Sequence, residues 1–171
     1  MSVHRHRREA PTRLRVAIIT VSDTRTKQTD TSGELLACLL EEAGHEPVDH
    51  RIVRDEIPLI QKAIHALMEN APPHAIILTG GTGISPRDIT PEAVRPLLDK
   101  EIPGYGELFR MLSHQEIGAA AMLSRAIAGT INQTIVIATP GSRGAVELAM
   151  KKLILPELGH LVREAEKRAE G

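Results

Sequence analysis

The feature that most constrains the fold is a nearly continuous run of β-branched and other apolar residues at positions 14–22, Leu-Arg-Val-Ala-Ile-Ile-Thr-Val-Ser. Such a run is typical of a strand that is buried on both faces, because a strand with one wet face alternates apolar and polar residues. A strand buried on both faces needs helices above and below its sheet. The run therefore favours a layered α/β domain with a parallel sheet.

The remainder of the chain continues this alternation of strands and helices. Further strand-like runs lie at positions 47–53, 75–79 and 134–138, and apolar residues with helical spacing lie at 31–44 and 58–68. We predict a single three-layer α/β domain over residues 14–165, with a mostly parallel sheet flanked by helices. Residues 1–13 are rich in Arg and His with little apolar content, so we predict a flexible basic arm.

Composition excludes several classes of partner. The 171 residues carry a net charge of −1, so the chain has no basic excess with which to bind nucleic acid. No apolar run approaches the roughly 20 residues that cross a bilayer, and we expect neither a membrane partner nor a secretory signal. The one cysteine, Cys38, favours a cytoplasmic location. We interpret Cys38 as a thiol packed within the apolar helical stripe at positions 35–43.

Local patterns predict two helix starts and one aromatic cluster. Thr31 and Glu34 have the spacing of a capping box, and Thr90 with Pro91 is typical of a capped helix start. The only tyrosine and the only phenylalanine, Tyr105 and Phe109, lie four residues apart. Two interpretations stay open for these rings: they fill a gap in the core, or they line a pocket or a subunit contact.

The strand-like run at 75–79 stops at Gly80-Gly81-Thr82-Gly83. Clustered glycines let backbone N–H groups turn outward and approach a ligand closely. Ser85, Arg87 and Asp88 follow within a few residues, and with Thr82 they suit a phosphorylated ligand that carries a divalent cation. The alternative is a tight strand-to-helix turn that needs glycine for its geometry alone.

Other polar turns are expected beside this one, because ligands bind at the carboxyl ends of parallel strands. These turns contain Ser22 with Asp23, Asp55, and Pro140-Gly141-Ser142. Asp55 and Asp88 together suit Mg²⁺, which prefers one or two carboxylates plus substrate phosphate oxygens. The structural alternatives are that Asp55 caps the helix after it and that Asp88 braces its own turn.

Standard nucleotide and hydrolase motifs are absent from the sequence. The glycine turn lacks the Lys-Ser/Thr of a P-loop and the G-x-G-x-x-G order of a dinucleotide fold. No serine lies in a G-x-S-x-G elbow, and no His-Glu-x-x-His pattern indicates zinc. Phosphoryl and nucleotidyl transfer stay compatible, since they need positioning and charge neutralisation more than a protein base.

Several motifs in this order resemble the MoaB/MogA family of molybdenum cofactor biosynthesis, with the MoaB branch closest. The matching segments are Thr20-Val21-Ser22-Asp23, Asp30-Thr31-Ser32-Gly33, residues 78–93, residues 103–110, Ser124-Arg125-Ala126 with Ala128-Gly129, and Pro140-Gly141-Ser142. Together they span roughly residues 14–162, all but the two tails.

The resemblance implies a molybdopterin adenylyltransferase that joins ATP and molybdopterin with Mg²⁺ and releases pyrophosphate. It also implies a homo-oligomer, either a trimer or a hexamer. The two acidic catalytic and metal positions of the family fall on Asp55 and Asp88, and its ligand loop falls on Gly80, Gly81, Thr82 and Gly83. Its further binding positions resemble Ser22, Asp23, Ser113, Ser124, Pro140, Gly141 and Ser142.

One alternative function belongs to the same pathway. Some MoaB-branch members lack the first aspartate, and such a protein would bind molybdopterin or assist assembly without catalysis. Because this chain carries both Asp55 and Asp88, the sequence favours the active enzyme. Ser142 stands where the MogA branch commonly has Asn or Gln, so the details of a MogA-type pterin contact do not carry over to this position.

Overall fold

The computed structural model describes residues 12–167, so most of the predicted basic arm (1–11) lies outside the described residues. Its strands are β1 (Arg15–Val21), β2 (Glu46–Val53), β3 (Ala75–Thr79), β4 (Lys100–Glu101), β5 (Ile127–Ile131) and β6 (Thr134–Thr139). Its α-helices are α1 (Thr31–Glu42), α2 (Ile57–Met68), α3 (Thr90–Val94), α4 (Pro103–Ile117), α5 (Arg143–Ala149) and α6 (Leu155–Glu166). Short 3-10 helices cover Arg95–Leu97 and Gly118–Leu123, and a π-helical turn, Met150–Ile154, joins α5 to α6.

The six strands form one sheet in the order β2-β1-β3-β6-β5-β4. The first four are mutually parallel, and β5 and β4 are antiparallel to their neighbours. The prediction of a single α/β domain with a mostly parallel sheet is confirmed. β4 and β5 were not predicted, because Gly129 and Thr130 interrupt the apolar pattern of β5. Asn132, with φ of 52°, lies in the short turn between β5 and β6 and was the one local signal for this hairpin.

Helices cover both faces of the sheet, as the run at 14–22 predicts. Val16 and Ile18 pack with α1, α5 and α6, whereas Ala17 and Ile19 pack with α2 and α3. All four of these side chains are fully buried. Successive residues of a strand point to opposite faces of the sheet, so one run of apolar residues contributes to a separate core on each face.

Three local expectations are corrected. Cys38 is exposed rather than packed, because it points away from the buried face of α1 and lies 3.5 Å from Glu42 Oε1, which raises the pKa of its thiol. The cap of α1 is Asp30 and not Thr31, since Asp30 Oδ1 accepts the Gly33 N–H at 2.9 Å. Thr90 begins α3, but it makes no capping hydrogen bond.

The Asp30 carboxylate fixes the start of α1 through a buried polar cluster. Thr20 Oγ1 donates to Asp30 Oδ2 at 2.5 Å, and His50 Nε2 lies 3.0 Å from the same oxygen. Asp30 and Thr20 are almost fully buried. With α1 held in this way, Ser32 Oγ donates to the Gly141 carbonyl at 2.8 Å and ties the helix to the turn after β6.

Tyr105 and Phe109 lie inside the subunit. Their ring centroids are 6.4 Å apart, and both rings are buried in the core between α4 and the sheet. The interpretation that they form a subunit contact is wrong, and the core interpretation is confirmed. Phe109 also forms part of the lining of a cavity described below.

We expect Phe109→Ala to destabilise the protein by about 3–5 kcal/mol, because the ring is 1% exposed and leaves a cavity when it is removed. Gln115→Ala on the exposed side of the same helix is the control and should shift the free energy of unfolding by less than about 0.5 kcal/mol. Urea unfolding measures both variants. Equal values for the two would contradict the placement of Phe109 in the core.

We expect Gly33→Ala to destabilise by about 1–3 kcal/mol through overpacking. A Cβ atom at Gly33 would meet Asp30 Oδ2 and would lie 2.6 Å from His50 Nε2, so the buried cluster would have to shift. Gly104→Ala in α4 is the matched control, since a Cβ atom there meets nothing within 4 Å. Thermal unfolding should show a lower Tm for Gly33→Ala and an unchanged or higher Tm for the control.

Candidate active site at the carboxyl edge of the sheet

The turns after β2, β1, β3 and β6 meet at one edge of the sheet, as the sequence predicts. Two backbone hydrogen bonds join them: the Ser22 N–H donates to the Val53 carbonyl at 2.8 Å, and the Gly80 N–H donates to the Thr139 carbonyl at 3.0 Å. The edge therefore brings together the predicted residues Ser22, Asp23, Asp55, Gly80, Gly81, Thr82, Gly83, Asp88, Pro140, Gly141 and Ser142.

Glycine is required in the loop after β3 by both conformation and space. Gly80 and Gly81 have φ of 101° and 69°, which L side chains rarely adopt. A Cβ atom on Gly80 would collide with the Val21 carbonyl oxygen, and one on Gly81 would collide with Thr90 Oγ1. Thr90 fastens this loop from α3, because its Oγ1 donates to the Gly80 carbonyl at 2.7 Å and its N–H donates to the Gly81 carbonyl at 2.9 Å.

One side of the loop carries charge. Arg87 donates two hydrogen bonds to the Asp23 carboxylate, at 2.9 and 2.8 Å, and this pairing lowers the pKa of Asp23. The Asp55 N–H donates to the same carboxylate at 3.2 Å. Partial burial raises the pKa of Asp55, and the negative charges of Asp23 and Asp88 raise it further. Asp55 therefore lies in a negative environment that a cation would relieve.

Asp55 and Asp88 approach the glycine loop from different directions. Asp55 Oδ1 lies 3.1 Å from the position that a Cβ atom on Gly81 would take, and Asp88 Oδ2 lies 2.7 Å from the equivalent position on Gly83. Asp88 Oδ2 also accepts the Ser85 N–H at 2.9 Å, so Asp88 does brace its turn. Asp55 does not cap α2, since the residue at the cap position is Glu56.

The other side of the loop carries hydroxyl groups. A cavity of about 220 Å³ lies between the loop, α4 and the turn after β6, and it brings Ser113 and Ser124 to the loop residues. Its hydroxyl groups come from Thr82, Ser113, Ser124 and Ser142, and the rest of its lining includes Gly83, Pro140, Phe109 and Leu123. The glycine loop thus separates a carboxylate side from a hydroxyl side.

Three predicted binding serines already accept hydrogen bonds within the protein. Ser124 Oγ accepts the Ala126 N–H at 3.4 Å. Ser22 Oγ accepts the N–H groups of Thr24 and Arg25 at 3.2 and 3.1 Å, and Ser142 Oγ accepts the Ala145 N–H at 3.2 Å as the cap of α5. Gly141 lets two turns pack closely, because a Cβ atom there would lie 3.1 Å from Gly80 Cα and would push the turns slightly apart.

Arg125 lies in the motif Ser124-Arg125-Ala126, and the sequence alone predicts no role for its side chain. Its side chain reaches the loop backbone and also lines a second cavity of about 370 Å³, together with Arg95 and Arg110. The motif Ser124-Arg125-Ala126 is the sequence signal for Arg125, and it does not predict contacts with a loop about forty positions earlier in the chain.

The arrangement suits an anion on the glycine loop with a cation beside it. Within residues 12–167, no group of three or more His, Cys, Asp or Glu side chains is placed to hold a metal ion. The pair Asp55 and Asp88 still fits Mg²⁺, because Mg²⁺ keeps several water or phosphate ligands beside one or two carboxylates. In the same described range, no helix is long and apolar enough to cross a membrane.

Comparison with known proteins places the chain in a family. The model of a probable molybdopterin binding domain matches residues 17–160. Molybdenum cofactor biosynthesis protein B of Bacillus subtilis (strain 168) is 55% identical over 168 residues, which cover 98% of this chain and 99% of that protein. The crystal structure of a molybdenum cofactor biosynthesis protein B superposes with a TM-score of 0.89 at 54% identity, over 94% of this chain and 100% of that chain.

A more distant structure has the same architecture. The tungsten cofactor synthesizing protein MoaB from Pyrococcus furiosus has a TM-score of 0.83 at 35% identity, over 92% of this chain and 100% of that chain. These matches cover nearly the whole chain, and the fold and the glycine-loop edge described above lie within them. The chain belongs to the MoaB/MogA family of molybdenum cofactor biosynthesis proteins.

Proposed function

We propose that this protein is a molybdopterin adenylyltransferase of molybdenum cofactor biosynthesis, which transfers AMP from ATP to the terminal phosphate of molybdopterin. Family membership supports the place in the pathway. The observation that carries the transferase assignment is the pair of carboxylates, Asp55 and Asp88, packed against alternate glycines of one loop. A glycine loop that binds phosphate beside two carboxylates fits nucleotidyl transfer with Mg²⁺.

In this proposal the triphosphate of ATP lies over Gly80–Gly83, and Asp55 with Asp88 holds Mg²⁺. When bound, Mg²⁺ neutralises charge on the phosphates. The hydroxyl side of the loop then receives molybdopterin, with Ser113 and Ser124 as hydrogen-bonding groups. Arg87 already pairs with the Asp23 carboxylate, so Asp55 and Asp88 are the two carboxylates left to bind the cation.

The nucleophile needs no protein base. An oxygen of the molybdopterin phosphate forms a bond to the α-phosphorus of ATP, and the bond from that phosphorus to pyrophosphate breaks. A phosphate monoester has a second pKa near ~6, so the attacking oxygen is ionised at neutral pH. The role of the protein is to align the two substrates and to screen their negative charges.

We expect Asp55→Asn and Asp88→Asn each to lower turnover at least about tenfold, equal to about 1.4 kcal/mol in barrier height. A neutral amide is a weak ligand for Mg²⁺, whereas an amide oxygen at position 88 still accepts the Ser85 N–H and preserves the turn. Pyrophosphate release from ATP and molybdopterin with Mg²⁺ measures the rate.

Asp49→Asn is the matched control for these variants. Asp49 lies on β2 outside the site, and its surface pair with Arg51 contributes little to stability. Wild-type turnover in folded Asp55→Asn and Asp88→Asn would remove both carboxylates from catalysis. A wild-type protein that binds molybdopterin but releases no pyrophosphate would instead be the non-catalytic pathway protein.

We also propose that the protein forms a homo-oligomer, a trimer or a hexamer. The exposed side of α4 and the 3-10 helix Gly118–Leu123 carry five large apolar side chains: Leu108, Met111, Ile117, Met122 and Leu123. Met122 is 74% exposed. Exposed apolar residues clustered in one region are typical of a protein–protein interface, whereas scattered ones are ordinary. Self-association of this face fits the trimer or hexamer that the family resemblance implies.

We expect light scattering at micromolar concentration to give three or six times the 18.6 kDa of one chain. Met111→Glu combined with Ile117→Glu should lower the mass, because each places a charge in the apolar face. Leu59→Glu, an exposed apolar position on α2, is the control and should leave the mass unchanged. A wild-type mass near 18.6 kDa would contradict the oligomer.

A further inference from the structure

Arg125 makes four hydrogen bonds to the segment that forms and follows the glycine loop. Its N–H donates to the Thr82 carbonyl at 2.9 Å, its Nε donates to the Gly83 carbonyl at 2.8 Å, and its Nη2 donates to the Asp88 carbonyl at 2.7 Å. Its Nη1 donates to the Glu92 carboxylate, which lowers the pKa of Glu92. Arg125 thus connects the glycine loop, through Thr82 and Gly83, to Asp88 and to Glu92 in α3.

These bonds determine the direction of the loop N–H groups. A trans peptide is planar, so its C=O and N–H point in opposite directions. Because the carbonyls of Thr82 and Gly83 point toward Arg125, the N–H groups of the next residues, Gly83 and Ile84, point away from it. Arg125 therefore turns part of this loop into a set of outward donors, with a fixed positive charge behind them.

We propose that Arg125 is the positioning residue of the glycine loop. Its guanidinium holds the Gly83 and Asp88 carbonyls, and its main-chain N–H holds the Thr82 carbonyl, so that the loop presents N–H donors to the phosphates of the nucleotide. This inference rests on the proposed function for the identity of the anion. The planar fork of the guanidinium suits the task, since it reaches several acceptors at fixed angles.

Arg125 acts through the loop rather than on the substrate directly. Its Nε, Nη1 and Nη2 are each bonded to the protein. Arg110 offers a contrast within the same cavity, because its bond is a single long one, 3.4 Å, to the Ser124 carbonyl. Arg110 is therefore the natural control.

The test compares Arg125→Lys, Arg125→Gln and the control Arg110→Gln. Lysine keeps the positive charge but lacks the fork, so Arg125→Lys separates charge from geometry. The first readout is hydrogen exchange at the amides of Ser85, Asp88 and Thr90. Their acceptors are Asp88 Oδ2, the Ser85 carbonyl and the Gly81 carbonyl, each at 2.9 Å and each between β3 and α3. We expect exchange at least about tenfold faster in both Arg125 variants and unchanged exchange in Arg110→Gln.

The second readout is the affinity for ATP with Mg²⁺, measured by calorimetry at a temperature where each variant is fully folded. We expect at least about tenfold weaker binding in Arg125→Lys and Arg125→Gln. A residue that merely stabilised the fold would lower Tm without changing the affinity of the folded protein.

Wild-type exchange and wild-type affinity in folded Arg125→Lys would overturn the positioning role. The exchange measurement needs no ligand and no turnover, so it tests Arg125 even if the wild-type protein fails to bind ATP. Failure of the wild-type protein to bind ATP would overturn the proposed function alone. If Arg125→Gln does not fold, the result from Arg125→Lys decides.

Discussion

Burial of the central strands on both faces is the constraint on which the rest of the structure depends. Every residue of β3 and β6 is buried, and so is every residue of β1 after Arg15. Strands packed in this way leave no solvated surface for charged groups, so the charged chemistry lies where the strands end. Because β2, β1, β3 and β6 are parallel neighbours, their ends lie at one edge, and that edge holds the candidate site.

The turns at this edge pack closely, and the glycines there serve two purposes: they permit the turn geometry, and they leave the loop backbone accessible to other groups. Gly80 lies against the Val21 carbonyl, and Gly141 lies against Gly80. A Cβ atom on Gly80 would collide with the Val21 carbonyl and one on Gly141 would be tight against Gly80, so the turn interpretation of the glycines holds. Because the loop glycines carry no side chains, the carboxylates of Asp55 and Asp88 can approach the loop backbone closely. Geometry and ligand binding are therefore not alternatives in this loop.

The carboxylates of the edge differ through their partners. Arg87 neutralises Asp23 and lowers its pKa, and the resulting pair links the turns after β1 and β3. Within residues 12–167, no arginine or lysine side chain bonds the Asp55 carboxylate, and burial together with neighbouring negative charge raises the pKa of Asp55. This contrast separates a structural carboxylate from one suited to a cation, although both residues are aspartates in polar turns.

The sequence by itself determined the layered α/β class, the strands from β1 to β3 with β6, and the clustering of the polar turns. Each of these follows from local periodicity and from the rule that parallel strands end together. Only the tertiary structure decided the antiparallel strands β4 and β5, the exposure of Cys38, the cap at Asp30 and the burial of Tyr105 with Phe109. It also decided that Arg125 braces the loop. These features depend on which distant residues come into contact, and local sequence patterns do not encode contacts between positions far apart in the chain.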